Sequence, residues 1–528
     1  MIFIYNYLEF YLLYLLHFFF NFSVVYFLIF LVMSPLLLCF TLLFVPNYQI
    51  YKIKLISLMG TLGIFMVSLF LHFYFIFFDF NQINFFQLQF RIEFPLIPTI
   101  NSLNLYYSIG LDSLGLCFVI LSVLLVPFCI LVSWENIKFR IKEFILLLLV
   151  LEFILIQIFL ISDLILFYLL FESVLIPMFV LIGVWGSRDR KIFASYQFFI
   201  YTFFGSVFML IGILYLYIEF GTSSYLLLLC WCKYLPANIQ IWLWLSFFFS
   251  FAVKVPMIPV HVWLPEAHVE APTAGSVLLA GILLKLGGYG MLRFLLPLFP
   301  YGTYFFLPFV YVISILGILY TGVVTIRQVD LKKIIAYSSV GHMNFVTLGL
   351  FSLTSQGING SIFLMISHGI VSSALFICIG ILYDRYKTRN LFYFGGLTTV
   401  MPLFSTFFLI FTLANMGLPG LSNFVGELLV LIGLFESSPV TAFFAAMGTI
   451  LGGIYSIWLY NRVVFGHFNS NILLVYSDLN KREFFILAAL AVLTLFFGLF
   501  PASLLDLING STQHNIIYIY DNYHFNSN

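Results

Sequence analysis

The chain has 528 residues, of which 63% are hydrophobic and only 8% are charged. Soluble globular proteins carry about 25% charged residues, so this sequence cannot supply the water-facing surface of a soluble domain. The formal net charge of +1 at pH 7 excludes bulk electrostatic attraction to nucleic acid. The composition therefore predicts a membrane protein, whose length is counted in spanning helices.

Apolar runs of about 20 residues, the length of a membrane-spanning helix, follow one another along the chain. Barrel strands would alternate apolar and polar residues over about ten positions, so the predicted fold class is an all-α polytopic membrane protein with about 14 transmembrane helices. The predicted segments are 24–45, 55–78, 109–133, 144–161, 164–184, 194–218, 242–263, 272–297, 304–325, 334–353, 361–383, 400–433, 441–465 and 484–505. Residues 10–22 either extend the first helix or lie at the interface.

The loops between these segments share the Lys and Arg residues unevenly. With the N-terminus outside, only Arg91, Lys233 and Arg293 of the 22 Lys and Arg fall outside, and Lys254 and Lys285 lie within segments. The other 17 fall inside, which is the positive-inside pattern. It predicts that both termini lie outside and that the inside is a mitochondrial matrix or a bacterial cytoplasm.

The composition also favours an organelle. The 68 Phe and 32 Tyr are typical of an AT-rich genome, and the chain does not open on an Arg-rich amphipathic presequence. We therefore expect the mitochondrial inner membrane, with both termini on the intermembrane-space side, or the bacterial inner membrane for a prokaryotic source. The six cysteines show no zinc or iron–sulfur spacing, so we predict no metal site.

Four charged side chains lie inside apolar segments, namely Glu172, Lys254, Lys285 and Glu427. Each costs about 2.5–3.5 kcal/mol at the bilayer centre, so such residues indicate function by default. Glu172 and Lys254 could instead be an ion pair that only locks two helices, although buried pairs are often neutral or destabilising. Two carboxylates and two amines across one membrane plane are what a proton relay needs.

Several histidines accompany these charges. His342 and His368 lie in the tenth and eleventh segments, between the second buried lysine and the last buried acid. They are either relay members or packing residues. His261 and His268 border the loop between segments seven and eight, near the inner surface, and are candidates for proton uptake or exposed loop residues.

Three further acids lie towards the ends of segments. Glu152 and Asp163 bracket the outer part of the fourth segment, where each could be an anchor at the headgroup level. Glu152 is also a candidate accessory group of the relay. Asp112 begins the third segment, and we interpret it as a charge at a helix N-terminus.

Two segments are predicted to be broken in mid-span. Pro256 and Pro259 follow Lys254 in the seventh segment, and Pro419 lies in a Gly-Leu-Pro-Gly sequence before Glu427 in the twelfth. Breaks five helices apart predict an inverted pair of repeats, helices 4–8 and 9–13, and such breaks point to a transporter's ion site. The division is 1–143 (helices 1–3 and an outer loop), 144–297 (first repeat), 304–465 (second repeat) and 484–528 (last helix and outer tail).

Long motifs resemble the antiporter-like proton-translocating subunits of respiratory complex I, which are related to multisubunit cation/proton antiporters. The likeness covers roughly residues 100–465 and includes KVPMIPVHVWLPEAHVEAPTAGSVLLAGILLKLGGYG from Lys254, FYLLFESVLIPMFVLIGVWGSRDRK from Phe167, RQVDLKKIIAYSSVGHMNF from Arg327, ISHGIVSSALF from Ile366 and ANMGLPGLSNFVGE from Ala414. The acid at Glu427 separates this branch from relatives that carry a lysine there.

The resemblance implies roles for the residues. Glu172 would pair with Lys254 and modulate its affinity for protons, and Lys285 would be the central relay. His342 and His368 would lead to Glu427, which would pass the proton outside. The resemblance also implies neighbouring membrane-arm subunits and lipids such as cardiolipin as partners, with NADH, FMN, iron–sulfur clusters and ubiquinone bound by partner subunits and no cofactor in this chain.

Two alternatives stay open at this point. A subunit of a multisubunit cation/proton antiporter would use the same relay, driven by an ion gradient. A scaffold that pumps nothing would only space the membrane arm, but this alternative leaves the four buried charges without a purpose.

Overall fold

The computed structural model describes residues 25–78, 88–95, 106–467 and 477–527. The apolar stretch at 10–22 and most of the loop at 79–108 lie outside these ranges. The helices are α1 Val25–Phe44, α2 Ile50–Phe78, α3 Ser113–Val132, α4 Ile141–Leu160, α5 Leu164–Ser173, α6 Leu175–Trp185, α7 Lys191–Phe220, α8 Tyr225–Cys232, α9 Ala237–Lys254, α10 Trp263–Glu270, α11 Thr273–Leu298, α12 Pro300–Arg327, α13 Leu331–Phe351, α14 Ser355–Tyr386, α15 Pro402–Met416, α16 Ser422–Ser437, α17 Pro439–Val464, α18 Lys481–Leu499 and α19 Ala502–Ser527. Two short turns, Leu391–Tyr393 and Leu397–Val400, connect α14 to α15.

The predicted all-α membrane fold is confirmed. Twelve helical stretches in the described ranges are long and apolar enough to cross a membrane. The predicted segment 400–433 is divided between α15 and α16. The predicted segment 242–263 contains most of α9 and the break that follows it, and α10 begins at its last residue. Contacts between loops bring Lys and Arg residues together at one end of the bundle, which we call the basic end.

The break in the seventh segment lies where the two prolines predicted it. Helix α9 ends at Lys254, and α10 begins at Trp263. The indole Nε1 of Trp263 donates a hydrogen bond to the carbonyl oxygen of Val253 over 3.0 Å. A side chain thus satisfies a carbonyl that has no partner in the next helical turn.

The break in the twelfth segment follows a glycine cap. Gly417 ends α15 in the left-handed conformation, with φ of +78°, and α16 begins at Ser422. A left-handed C-cap favours glycine because other residues meet a Cβ clash there. Pro419 lies within the connection, as predicted.

Two irregularities were not predicted, and both flank a buried charge. The fifth segment divides at Val174, two residues after Glu172, because Pro177 has no N–H with which to bond the carbonyl of Ser173. Helix α11 contains two π-helical turns, Leu279–Leu283 and Met291–Leu295. Such turns widen the helix and free backbone carbonyls, and they are frequent at functional sites.

The core of the bundle is formed by α11 and α14, whose apolar spans are entirely buried within the protein. Helices α2, α17 and α18 lie at the periphery, where less than a third of the span is buried. Their outer faces carry large apolar side chains such as Met66, Phe443 and Val492, as expected of lipid-facing helices. The candidate site therefore lies deep inside the bundle.

The end of the bundle opposite the basic end is covered by two elements. Strands β1 Gln89–Pro95 and β2 Tyr106–Leu111 form an antiparallel hairpin. The polar tail forms helix α19, which was not predicted; its buried face includes Leu504, Ile508 and Ile519, spaced as on one side of a helix. The hydroxyl of Thr512 donates a hydrogen bond to Asn359 of α14 over 2.7 Å, which fixes α19 across the bundle.

Candidate functional site

Lys285 and His368 form the centre of the site. The Nζ atom of Lys285 on α11 lies 2.9 Å from Nδ1 of His368 on α14. Both side chains are buried, with at most 1% of their surface exposed. Lys285 also donates a hydrogen bond to the carbonyl of Ala280, which belongs to the first π-helical turn. The irregular turn thus supplies a backbone acceptor for a charge buried far from water.

The chain of titratable groups continues from His368 to a carboxylate. The rings of His368 and His342 have centroids 5.3 Å apart, and Nδ1 of His342 lies 3.3 Å from Oε1 of Glu427. The contact between His342 and Glu427 does not have hydrogen-bond geometry, so among the described residues both ring nitrogens of His342 and Nε2 of His368 are buried without a hydrogen-bond partner. Four groups from α11, α14, α13 and α16 therefore lie in a row across the bundle.

The second helix break makes room for the carboxylate of this row. Glu427 lies five residues into α16, and a Cβ atom added to Gly417 would approach its Oε2 to 2.6 Å. The glycine therefore serves both the left-handed turn and the close approach of the acid. The sequence placed these two residues near one another but could not show that one contacts the other.

Glu172 and Lys254 lie close together without forming a direct ion pair. The Nζ atom of Lys254 lies 3.5 Å from the carbonyl oxygen of Phe171 and 4.3 Å from the centroid of its ring. The carboxylate of Glu172 is near the hydroxyl of Ser206 on α7 and within electrostatic range of Lys254. The cation is thus held by a backbone oxygen and an aromatic face.

No hydrogen bond joins Lys254 to Lys285 in the part of the chain that the structure describes. Their helices nevertheless pack closely, because a Cβ atom added to Gly287 of α11 would lie 2.6 Å from Val255 Cγ2 and 2.9 Å from the carbonyl oxygen of Phe251. The helix that carries Lys254 therefore contacts the helix of the central lysine through close packing rather than through a hydrogen bond between the two amines.

His261 and His268 are both buried, which contradicts the alternative of exposed loop residues. The ring of His268 is fully buried and stacks on Phe376 of α14, with centroids 4.7 Å apart. His268 is within electrostatic range of both Lys285 and Lys332. Because Lys332 begins α13 at the basic end, His268 is close both to that end and to the central lysine.

The acidic residues Glu152 and Asp163, which border the outer part of the fourth segment, lie in different surroundings. Glu152 lies eight residues inside the end of α4 and is fully buried, which does not fit a headgroup anchor. Within the described ranges, neither of its carboxylate oxygens has a hydrogen-bond partner. Asp163 accepts hydrogen bonds from the backbone amides of Ile165 and Leu166 and therefore caps α5. Burial raises the pKa of Asp163 above its ordinary value, against the opposing effect of its hydrogen bonds.

Asp112 caps α3, as predicted, and has a second role that was missed. It accepts a hydrogen bond from the amide of Gly115, while its Oδ2 lies 2.5 Å from Nη1 of Arg293. From its position in the sequence, Arg293, near the end of segment 272–297, is predicted to be among the outside charges, but in α11 only 2% of its surface is exposed. The pair links the ends of two core helices.

Two basic residues near the basic end were also expected in loops. Arg389 is 1% exposed and donates hydrogen bonds to the Val269 carbonyl and the Ser187 hydroxyl. Burial lowers the pKa of its guanidinium, which nevertheless stays charged. Lys332, at the start of α13, is 2% exposed and donates to the carbonyl of Ala271. Their position between apolar segments predicts that both residues lie in loops. Position alone does not show that a backbone carbonyl elsewhere in the chain accepts their hydrogen bonds.

The chain matches a protein family and several named relatives. Residues 162–452 match the family described as NADH:quinone oxidoreductase/Mrp antiporter, transmembrane. The chain is 52% identical over 481 residues to NADH-ubiquinone oxidoreductase chain 4 of Chondrus crispus, covering 91% of this chain and 95% of that one. It is 53% identical over 484 residues to the protein of the same name from Arabidopsis thaliana, covering 92% and 96%.

A solved structure shares the fold over nearly the whole length. A chain of respiratory complex I from Thermus thermophilus with bound NADH superimposes with a TM-score of 0.82 and 28% identity, covering 93% of this chain and 99% of that chain. The architecture described above is therefore that of a known membrane subunit.

Proposed function

Because the chain belongs to the NADH:quinone oxidoreductase/Mrp antiporter transmembrane family, we propose that it carries protons through the membrane arm of respiratory complex I, as its chain 4 subunit. The relatives of that name, which are about half identical over more than nine tenths of this chain, support the assignment. The acid at Glu427 is the feature by which the sequence indicates this branch.

One observation carries the proposal. Lys285, His368, His342 and Glu427 come from four different helices and meet in a row inside an apolar bundle. Burying such groups is costly, and a row of them has no evident structural use that apolar packing would not serve better. Each member can take and release a proton, so the row can move charge without moving the backbone.

The direction of proton transfer follows from the positions of the groups at the two ends of the row. His268 is close both to Lys285 and to the basic end, and Glu427 lies beyond the second helix break. We place the basic end in the mitochondrial matrix and both termini in the intermembrane space. A proton would then pass from His268 to Lys285, along the two histidines to Glu427, and leave at the opposite face. The two broken segments would be equivalent elements of the inverted repeats, helices 4–8 and 9–13.

The energy for this transfer comes from outside the chain. Moving a proton against the membrane potential costs about 2.3 kcal/mol per 100 mV. We propose that partner subunits, which hold FMN, iron–sulfur clusters and the sites for NADH and ubiquinone, supply it through charge changes along the membrane arm. Lys254 and Glu172 would receive that signal: closing their open ion pair would keep Lys254 protonated but offset its positive charge with the carboxylate, which weakens the repulsion of a proton on Lys285. Neighbouring membrane-arm subunits and lipids such as cardiolipin would border the bundle.

The experiment replaces one member of the first pair at a time in the assembled complex. Lys254→Met and Glu172→Gln keep most of the side-chain volume and remove the charge. We expect the protons transported per electron, or the coupled rate of quinone reduction, to fall, while NADH oxidation by an artificial acceptor at the flavin is unchanged. Glu135→Gln, at an exposed carboxylate, is the matched control.

Unchanged transport in both variants would sink the proposal and favour a scaffold. Purification of the chain without flavin and iron–sulfur subunits would instead favour the cation/proton antiporter.

A further inference from the structure

A narrow crevice leads from the basic end to the last acid of the row. It has a volume of about 20 Å³ and lies among α12, α13, α17 and the break between α15 and α16. It is lined by His342 and Glu427 of the row and, nearer the basic end, by Thr325 and Tyr337. A cavity needs roughly 10–15 Å³ to hold one water molecule, so the crevice can hold water.

The position of the crevice along the helices sets its direction. Thr325 is two residues from the end of α12 at Arg327, and Tyr337 is six residues, or roughly 9 Å, from the start of α13. Both helix ends lie at the basic end. The crevice therefore reaches Glu427 from the same side as the path through His268, but without passing Lys285.

Hydroxyl groups line the crevice at helical spacing. Thr321 and Thr325 lie one turn apart on α12 and donate to carbonyls of their own helix, those of Gly317 and Gly322, each over 2.7 Å. Each threonine oxygen keeps lone pairs that can accept a hydrogen bond from water. The lining of the crevice is thus mixed, because these hydroxyls interrupt apolar residues such as Ile318, Phe345 and Met416.

Tyr455 of α17 connects this lining to the acid. It is 6% exposed, lies within hydrogen-bonding reach of Ser338 on α13 and Asn415 on α15, and is within electrostatic range of Glu427. Asn415 is the penultimate residue of α15 before the break. A hydroxyl that bridges the basic-end helix to the helix break can accept a proton from water on one side and release its own towards the carboxylate.

The mouth of the crevice at the basic end lies next to the break in the seventh segment. The ring of Tyr337 lies 6.3 Å from that of His261, and Lys333, one turn earlier on α13, forms an ion pair with Glu266 over 2.6 Å. Titratable groups therefore surround the mouth, as they do the approach to His268.

We propose that this crevice is a second proton-uptake path, which leads from the basic end through the Tyr455 hydroxyl to Glu427 and bypasses Lys285. Every step is a proton transfer between oxygens. A crevice water gives one proton to the tyrosine oxygen and regains one from the medium at the basic end, while the tyrosine proton moves to the ionised carboxylate of Glu427, directly or by one water. The proposal deepens the proposed function and rests on it for the use of the proton, but the access path is testable by itself.

The test measures access with a small ion. Thr321→Cys is introduced into the assembled complex in membrane vesicles of either orientation, and Ag⁺ is added to the medium. Free thiols are then alkylated after denaturation, and the peptide is quantified by mass spectrometry. Val323→Cys is the control, because Val323 lies on the same helix at nearly the same depth with 57% of its surface exposed on the lipid-facing side.

We expect Ag⁺ from the basic-end side to protect the thiol at position 321 at least about tenfold faster than the one at position 323, since thiol reactivity follows access to water. Equal protection rates for the two thiols, or protection only from the opposite side, would contradict the proposed uptake path. Ser338→Cys repeats the measurement on α13 if the first variant does not assemble. This result does not depend on transport, so it stands or falls separately from the proposed function.

A second measurement tests the role of the tyrosine. Tyr455→Phe removes only the hydroxyl and should slow coupled proton transport several-fold, with the complex assembled. Tyr460→Phe, on the same helix but hydrogen-bonded to Ser405 away from the crevice, should leave transport unchanged. Equal transport in the two variants would exclude Tyr455 from the path.

Discussion

The Nζ atom of Lys285 and the Nδ1 atom of His368 lie 2.9 Å apart, within hydrogen-bonding distance. When the lysine is charged it can only donate, so Nδ1 accepts and the neutral imidazole carries its hydrogen on Nε2. Among the residues that the structure describes, Nε2 has no hydrogen-bond partner. When Lys285 passes its proton to Nδ1, the imidazole can release the Nε2 proton towards His342. The ring then carries its hydrogen on Nδ1, and this hydrogen must return to Nε2 before the next transfer.

Loss of the central amine is expected to stop this transfer. In Lys285→Met, Nδ1 of His368 loses its donor, and coupled quinone reduction should fall by at least about tenfold, since a positioned proton-transfer group contributes about 10²–10⁴-fold. NADH oxidation by an artificial acceptor in the same membranes should not change. Lys233→Met removes a lysine that lies over Tyr234 outside the row, and it should behave as the unaltered complex.

The role of His268 can be separated from its packing. His268→Phe keeps an aromatic ring against Phe376 but cannot take a proton, so we expect an assembled complex with slower coupled turnover. Turnover is measured as a function of pH, and His514→Phe on α19, at an exposed histidine, is the control. If the variant assembles and turns over at the normal rate at every pH, His268 has a packing role and no role in proton transfer.

Close packing of α11 on α9 should be sensitive to a single methyl group. Gly287→Ala places a Cβ atom 2.6 Å from Val255 Cγ2 and 2.9 Å from a backbone oxygen, so one helix must move. We expect lower coupled turnover because the distance between the two buried lysines changes. Gly63→Ala in α2, where nothing lies within 4 Å, should be silent. Normal turnover in both variants would show that this contact does not set the coupling.

The buried pair of Arg293 and Asp112 is expected to matter for stability. Arg293→Met leaves an uncompensated carboxylate between two core helices, which costs about 3–5 kcal/mol. The complex should therefore melt at a lower temperature and accumulate to a lower level. Arg91→Met breaks the exposed pair with Glu93 in the hairpin and should cost at most about 1 kcal/mol. Equal melting temperatures would contradict the difference in burial.

The sequence predicts much of this arrangement for identifiable physical reasons. Long apolar runs specify helices, and the proline and glycine clusters at Pro256 and Pro419 mark both breaks because they remove backbone hydrogen bonds. Buried charges stand out in so apolar a chain, so Lys285 and Glu427 could be identified without a structure. The roles assigned to them rest on the resemblance and on the geometry together.

Other features depend on contacts that no local pattern contains. Arg293, Lys332 and Arg389 look like ordinary charges in loops or near segment ends until tertiary structure buries them against specific acceptors. The π-helical turn before Lys285 has no proline to announce it. Helix α19 is polar overall, and its single apolar face becomes visible only when residues 504–519 are read at helical spacing. That spacing could have predicted a helix in the tail, whereas no local sequence pattern predicts that Tyr455 lies near Glu427.

The most direct measurement of the central claim is the number of protons transported per NADH oxidised by the purified complex in sealed vesicles carrying Glu427→Gln. Glutamine keeps the shape of the side chain beside His342 and Gly417 but cannot release a proton. We predict fewer protons per NADH or a loss of coupled turnover, with partial recovery in Glu427→Asp. A normal ratio at the normal rate in Glu427→Gln would contradict a relay that ends at this carboxylate.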